Sequence, residues 1–211
     1  MNKDDEQILV VKSDIIFKSG KWQGLKTDKL DYYIDLIKKN CEFRRRGDME
    51  NDRSFQQIIP YMLFSFGNKF FAYKYLQNAG EKRLVNNDYQ LGVGGHINKE
   101  DVAGGDKDIL ETGMMREWNE EVDFKGNLIS RKLVGIIKDE SRPVEQVHLG
   151  LVYHFVGDSP EINVKETDKM EGKLLDRKNL SEDTISQSVW MKIVYESYLK
   201  KFCKNDETFE I

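Results

Sequence analysis

Hydrophobic positions along the chain predict strands interrupted by a few helices. Runs rich in Ile, Val and aromatic residues predict strands at 8–17, 57–66, 69–76, 89–93, 128–138 and 147–156. Gly67-Asn68 separates the second and third strands, and this pair suits the positive backbone angles of a tight hairpin turn. Because regular βαβ repeats are not visible, we expect an α/β fold with a mixed sheet packed between helices.

Apolar residues at three-and-four spacing predict helices at about 28–43 and 107–122, and a last helix covers roughly 182–201. Thr27 or Asp28 can cap the start of the first helix. The second helix carries an apolar residue at every fourth position, namely Leu110, Met114, Trp118 and Val122. We expect this ridge to face the core.

Length and composition predict one main domain with an added N-terminal segment. The chain has 211 residues, of which 39% are hydrophobic, so it can bury a proper core. We place an N-terminal extension of one strand and one helix at 1–54, either as a subdomain or integrated with the main sheet, and the main domain at 55–211. Cys41 and Cys203 lie far apart, and we expect both to be reduced thiols.

The charge pattern narrows the class of partner. The N-terminus is acidic and no apolar run approaches membrane-spanning length, so we expect a cytoplasmic protein without a membrane partner. Charged residues make up 33% of the chain, but the formal net charge is only -4. This balance argues against a protein that binds nucleic acid through its overall charge. An anionic substrate must therefore be bound by a local site.

Three glutamates on the second predicted helix form the candidate site. Residues three and four apart share a helix face, so Glu117, Glu120 and Glu121 bring their carboxylates close together. Oxygen ligands of this kind suit Mg²⁺ or Mn²⁺, and Arg116, one turn before Glu120, could orient that carboxylate. From charge pattern alone, the alternative is a solvated acidic face paired with basic neighbours.

The segment at 116–121, Arg-Glu-Trp-Asn-Glu-Glu, together with the upstream Gly94-Gly95-His96, resembles the signature of the Nudix hydrolases. That signature has a glycine, a spacer, an acidic residue, a spacer of seven and then R-E-U-x-E-E-x-G-U, where U is bulky and apolar. Asp108 stands eight positions before the arginine, where the family has glutamate. Asp123 replaces the second glycine, and the loop 95–108 is seven residues longer than the family spacing.

The resemblance implies an α/β/α sandwich and a metal-dependent hydrolase that cleaves a diphosphate linkage in a nucleotide-like small molecule. Water would attack phosphorus, with Mg²⁺ or Mn²⁺ as the cofactor. The implied metal ligands are Glu117, Glu120 and Glu121, which with Arg116 form the catalytic set, and Gly94 and Gly95 would contact the substrate. The general base is either a motif glutamate or one of four loop residues, Glu100, Glu145, Glu166 and Glu171.

Three other functions are compatible with the same resemblance. A Nudix-like fold can bind a nucleotide or a protein as a non-catalytic sensor, although the intact glutamates speak against it. Diphosphate isomerisation and removal of pyrophosphate from RNA 5′ ends are the other two. The sequence leaves open the substrate, the role of the N-terminal extension and the oligomeric state, a homodimer included.

Overall fold

The computed structural model describes residues 2–76, 89–102, 108–185 and 188–204, except the side chains of the last two residues. Its strands are β1 Gln7–Lys12, β2 Gly24–Lys26, β3 Glu42–Arg45, β4 Phe55–Phe66, β5 Lys69–Tyr75, β6 Gly92–Gly94, β7 Val122–Phe124, β8 Leu128–Lys138, β9 His148–Gly157, β10 Ile162–Val164 and β11 Met170–Asp176. Its helices are α1 Ser13–Ile16, α2 Leu30–Asn40, α3 Arg46–Met49, α4 Ile109–Glu121, α5 Pro143–Gln146, α6 Val189–Val194 and α7 Lys200–Lys204, with a π-helix at Tyr195–Leu199.

The predicted α/β fold with a large mixed sheet is confirmed. Within the described residues, nine strands form one sheet, whose main path runs in the order β11-β5-β4-β9-β8-β2. Strands β1 and β6 also pair with β4, and β3 pairs with β1. The remaining two, β7 and β10, form a separate antiparallel pair.

The chain divides into two compact units. The first comprises Met1–Tyr61, Gly94–Glu117 and Leu133–Val152, and the second comprises Met62–Val93, Trp118–Lys132 and Tyr153–Ile211.

In the first unit, the N-terminal strand is hydrogen-bonded to the strand that starts the predicted main domain. Antiparallel pairing sets Val10 opposite Gln57 in β4, and the other side of β1 pairs with β3. Ile8 and Val10 are fully buried and pack with Met49 of α3 and with Phe55. Strand β1 of the N-terminal segment is thus paired with β4, and the predicted boundary at residue 54 stays a prediction.

In the second unit, β5 pairs with β11 over its whole length and with the end of β4. Aromatic rings form the centre of its core. The Phe64 ring lies 5.7 Å from that of Trp118 and 5.0 Å from that of Phe124, and Trp118 lies 5.1 Å from Phe155. These edge and stacked contacts hold the end of α4 by apolar burial.

The predicted apolar ridge of α4 is confirmed. Each of its four members is at most 3% exposed. Strand β8 has the predicted bounds, and Gly67 adopts a φ of 54° in the turn between β4 and β5. The hydrophobic periodicity therefore correctly located α4, the helix that carries the candidate site.

The predicted elements of the N-terminal segment were partly wrong. The first strand ends at Lys12, and a helical turn replaces its second half. Helix α2 starts after Lys29, which adopts a φ of 56°, with no side-chain cap, so neither Thr27 nor Asp28 caps it. Asp28 instead pairs with Lys26 at 2.7 Å. Strand β3, with exposed arginines, was not predicted.

Two further differences concern the C-terminal half. Strands β10 and β11 are too short or too charged to show the usual strand pattern and were not predicted. The last helical segment begins at Val189 rather than near residue 182, and residues 186–187 lie outside the described part of the chain.

In the described part of the chain, none of the helices has both the length and the apolar character that crossing a membrane would require. Cys41 carries a free thiol, as predicted. The side chain of Cys203 lies outside the described residues.

Candidate active site

Helix α4 carries the three predicted carboxylates in one continuous helical segment. Glu117 is buried with 9% exposure, Glu121 is half-buried and Glu120 is exposed. Their spacing places them on one helix face, and the apolar ridge fixes the other face. Among the described residues, however, no three His, Cys, Asp or Glu side chains are gathered as a metal-binding group. The donors suit a hard divalent ion, and their side chains would have to converge to bind it.

The Glu117 carboxylate lies directly against the glycine loop that ends β6. A Cβ atom on Gly95 would overlap the carboxyl group of Glu117, so glycine leaves the space that this side chain occupies. A Cβ atom on Gly94 would overlap the backbone carbonyl oxygen of Pro60 in β4. Both glycines thus have packing roles. Gly95 leaves room for the Glu117 side chain, and Gly94 leaves room for the backbone of β4.

Arg116 links Glu117 to a buried acid that the sequence did not identify. Its Nη1 lies 2.9 Å from Oε1 of Glu117. Its Nε and Nη2 donate to the two oxygens of Asp101, at 2.7 and 3.2 Å, and Nη2 also donates to the carbonyl oxygen of His96 at 2.7 Å. This two-pronged bond is the strong geometry for arginine and carboxylate. The predicted orientation of Glu120 by Arg116 stays a prediction.

Asp101, and not Asp108, is therefore the acid that pairs with the motif arginine. Its side chain is only 3% exposed and also accepts from the backbone N–H of Asn98 at 2.8 Å. Counting back eight residues from the arginine gave Asp108. Counting forward from Gly95 would have found Asp101. The extra residues of the loop follow this acid, and 103–107 lie outside the described part of the chain.

Asp108 has a different role, because it caps α4. Its Oδ1 accepts from the backbone N–H of Leu110 at 3.1 Å, and its carbonyl oxygen accepts from the N–H of Thr112 at 2.8 Å. A carboxylate at this position satisfies a backbone donor of the first helical turn. Asp108 also forms an ion pair with Lys38 of α2 at 2.5 Å.

The end of α4 does not need the missing glycine of the signature. The helix passes directly into β7, and the only described non-glycine residue with positive φ is Lys29, so Asp123 is not left-handed. Lys165 instead donates its backbone N–H to the carbonyl oxygen of Glu121 at 2.9 Å and its ammonium to that of Asn119. Lys165, which directly follows β10, thereby satisfies carbonyls that a glycine cap would otherwise serve.

A half-buried histidine, His96, directly follows the two glycines. The His96 ring bonds through Nε2 to Oε1 of Gln57 at 2.7 Å, and Gln57 is fully buried. Burial lowers the pKa of His96 to about 3, so the ring is neutral at physiological pH. The His148 ring lies 5.6 Å away, and burial lowers its pKa as well. The sequence did not identify the hydrogen bond between His96 and Gln57, because the two residues lie far apart along the chain.

The loop after β8 is organised around a buried lysine. Lys138 is fully buried, and its ammonium donates to the carbonyl oxygens of Glu145 at 3.0 Å and Gln146 at 2.8 Å. It also forms an ion pair with Glu140 at 3.0 Å, although burial lowers the pKa of the lysine. This cation was missed because the alternating pattern of a strand gives no sign of which lysine points inward.

The four loop candidates for a general base lie in different environments. Glu100 is exposed in a short turn at Lys99–Val102. Glu166 pairs with Lys169 at 2.8 Å, and Glu171 pairs with Lys74 at 3.7 Å. Glu145 differs, because its Oε2 is buried without a hydrogen-bond partner among the described residues, and burial raises its pKa.

Comparison with known proteins gives the family. Protein YmaB of Bacillus subtilis is 31% identical over 194 residues, which span 88% of this chain and 92% of YmaB. The crystal structure of Tm1382, which is assigned to the Nudix hydrolases, matches with a TM-score of 0.77 at 28% identity, over 93% of this chain and all of Tm1382. The chain belongs to the Nudix hydrolase family. No family model matches it.

This Nudix hydrolase also has a weaker similarity to a second solved structure. The Bacillus subtilis pyrophosphohydrolase BsRppH matches 70% of the chain and 78% of its own length, at 12% identity and a TM-score of 0.39. That value is too low to bear on substrate. The Nudix assignment therefore rests on the agreement of the glutamate helix with the fold and with the similarity to Tm1382.

Proposed function

We propose that this Nudix hydrolase cleaves a diphosphate linkage in a small nucleotide-like substrate with Mg²⁺ or Mn²⁺ held by Glu117, Glu120 and Glu121. The observation that carries the proposal is the rigid placement of these carboxylates on α4, whose other face is buried. Sites on packed helices hold functional groups more precisely than sites on loops. When bound, the metal would neutralise phosphate charge and lower the pKa of the attacking water.

The residues around Glu117 have defined tasks in this proposal. Arg116 stands between two buried carboxylates and fixes the position of Glu117. Gly94 is exposed and Gly95 is half-buried, so we assign their backbone to contact with the substrate phosphates. Glu145 fits the general base best among the loop candidates, because a raised pKa makes a carboxylate a better proton acceptor near neutral pH.

The test is turnover across a panel of nucleoside diphosphate derivatives, dinucleotides and nucleoside triphosphates, with Mg²⁺ or Mn²⁺ and then with chelator. We expect chelator-sensitive release of a nucleoside phosphate from at least one member. Triphosphorylated RNA belongs in the same panel, because activity confined to it would change the substrate class. Binding of panel members without turnover of any of them would show that the protein is a sensor and not an enzyme.

The Glu121→Gln variant tests the metal site itself. It removes one negative charge at nearly constant shape, so we expect turnover to fall at least a hundredfold while the unfolding midpoint in urea stays close to that of the wild type. Glu111→Gln is the matched control, since Glu111 lies exposed in the first turn of the same helix. Equal activity of both variants would show that the metal lies elsewhere.

A further inference from the structure

The buried amide of Gln57 and the half-buried imidazole of His96 are hydrogen-bonded next to the Gly94-Gly95 pair. Gln57 donates its Nε2 to the carbonyl oxygen of Met49 at 3.1 Å, which turns its Oε1 toward His96. An amide oxygen only accepts, so Nε2 of His96 must carry the proton and donate. The direction of this bond is thus set by a backbone carbonyl on α3.

This pair leads directly to the candidate metal ligand. The carbonyl oxygen of His96 accepts from Arg116, and Arg116 in turn contacts the Glu117 carboxylate. The residue before His96 is Gly95, which lies against that same carboxylate. A shift of the His96 backbone would therefore reach Glu117 by two routes, one through the guanidinium and one through the glycine.

The polar character of the pair is informative. Buried polar groups cost free energy unless they are hydrogen-bonded, and apolar side chains would fill this volume without that requirement. A satisfied polar pair fixes one geometry, whereas an apolar pair can repack. Burial keeps the His96 ring neutral, although Arg46, Lys3, Arg116 and His148 all lie near enough to act on it.

We propose that His96 is a positioning residue, whose hydrogen bond to Gln57 fixes the Gly95–His96 backbone and thereby holds Glu117 ready to bind the metal. The proposal rests on the metal-dependent function proposed above. Groups that orient metal ligands typically change metal affinity 10–100-fold when they are removed. We therefore expect a loss of metal affinity that exceeds any effect on folding.

The first readout is direct Mn²⁺ binding, measured by the loss of the free Mn²⁺ electron paramagnetic resonance signal without substrate. His96→Leu removes the donor, and we expect the Mn²⁺ dissociation constant to rise about tenfold or more. His96→Gln places an amide nitrogen near the position of Nε2, and we expect it to stay within about threefold of the wild type. The second readout is kcat against KM at saturating Mn²⁺.

The matched control is His148→Leu. This histidine is also half-buried, but its Nδ1 is hydrogen-bonded to the carbonyl oxygen of Val144 rather than to Gln57. We expect it to lower stability without changing Mn²⁺ affinity more than about twofold. Equal weakening by the His96→Leu and His148→Leu variants, or wild-type affinity in His96→Leu, would overturn the positioning role.

Two further measurements keep the outcome decisive. If His96→Leu does not fold, Gln57→Leu removes the acceptor instead, and the same loss of Mn²⁺ affinity is expected. Mn²⁺ binding and turnover by the wild type are measured first, because failure at that step refutes the proposed function rather than the role of His96.

Discussion

At the scale of single residues, Glu117 takes part in a structural ion pair and is also one of the three proposed metal ligands. The Arg116 guanidinium contacts the carboxylates of both Asp101 and Glu117. Charges removed from water need partners of opposite sign. This shared guanidinium therefore holds the Glu117 carboxylate in one place, as the proposed metal site requires.

Substitutions of Gly94 and Gly95 by alanine should have different effects on stability and activity. In Gly95→Ala the new methyl group meets the terminal carboxyl group of Glu117, a side chain that can rotate away, so we expect a smaller change in stability but a large loss of activity. In Gly94→Ala it meets the Pro60 carbonyl in a strand backbone that cannot move aside, so we expect a loss of about 1–3 kcal/mol or more. Urea unfolding and turnover, measured on both variants, would separate the effects, and a stable, active Gly94→Ala would contradict them.

At the scale of elements, α4 could be predicted from the sequence because its apolar ridge is strictly periodic. The acidic residue before α4 was misassigned. The spacing to Arg116 assigned Asp108 to the motif, whereas in the fold Asp101 pairs with this arginine. An inserted segment changes spacing along the chain without changing which groups meet in space. The hydrogen bonds at the end of α4 could not be predicted either, because their donor, Lys165, lies on a segment distant in sequence.

Asp108 provides a test of this reassignment. Asp108→Ala removes the cap, so we expect the free energy of unfolding to fall by about 1 kcal/mol while the activity of the folded enzyme is kept. Asp108→Asn retains a capping oxygen and should restore most of the stability. Thermal denaturation and kcat/KM on the two variants decide the matter. Loss of activity in both, at wild-type stability, would return Asp108 to the catalytic motif.

At the scale of the whole molecule, the fold class and the glutamate helix were predictable, whereas the buried polar groups were not. Strand periodicity places a residue on a face, but it does not show that His96 meets Gln57 or that Lys138 points inward. Such contacts join segments far apart in sequence. Of the three histidines of the chain, His154 is buried and the other two are half-buried, and burial lowers the pKa of each.

His154 shows what this means for stability. Its ring bonds to Ser65 and Tyr198, both at 2.8 Å, lies near Lys201, and has its pKa lowered by burial to about 4. The unfolded chain takes up this proton near pH 6.5, so the free energy of unfolding falls as the pH drops from about 6.5 to about 4. The contribution of His154 to this loss is up to about 3 kcal/mol.

Urea unfolding between pH 7.5 and pH 4 measures this dependence. His154→Gln keeps a hydrogen-bonding group but cannot titrate, so its stability should fall less steeply over the same range. The other two histidines are unchanged in this variant and keep part of the slope. An identical slope in both proteins would mean that His154 is not shielded as described.

The enclosed ammonium of Lys138 makes this side chain a reporter of loop opening. Amine-reactive reagents modify lysines at the surface within minutes, but a fully buried amine reacts only after the carbonyl groups around it have moved apart. The rate at which Lys138 is acetylated, followed by mass spectrometry, therefore gives the population of molecules in which the loop after β8 is open. If substrate closes that loop, labelling of Lys138 should slow while labelling of surface lysines continues unchanged.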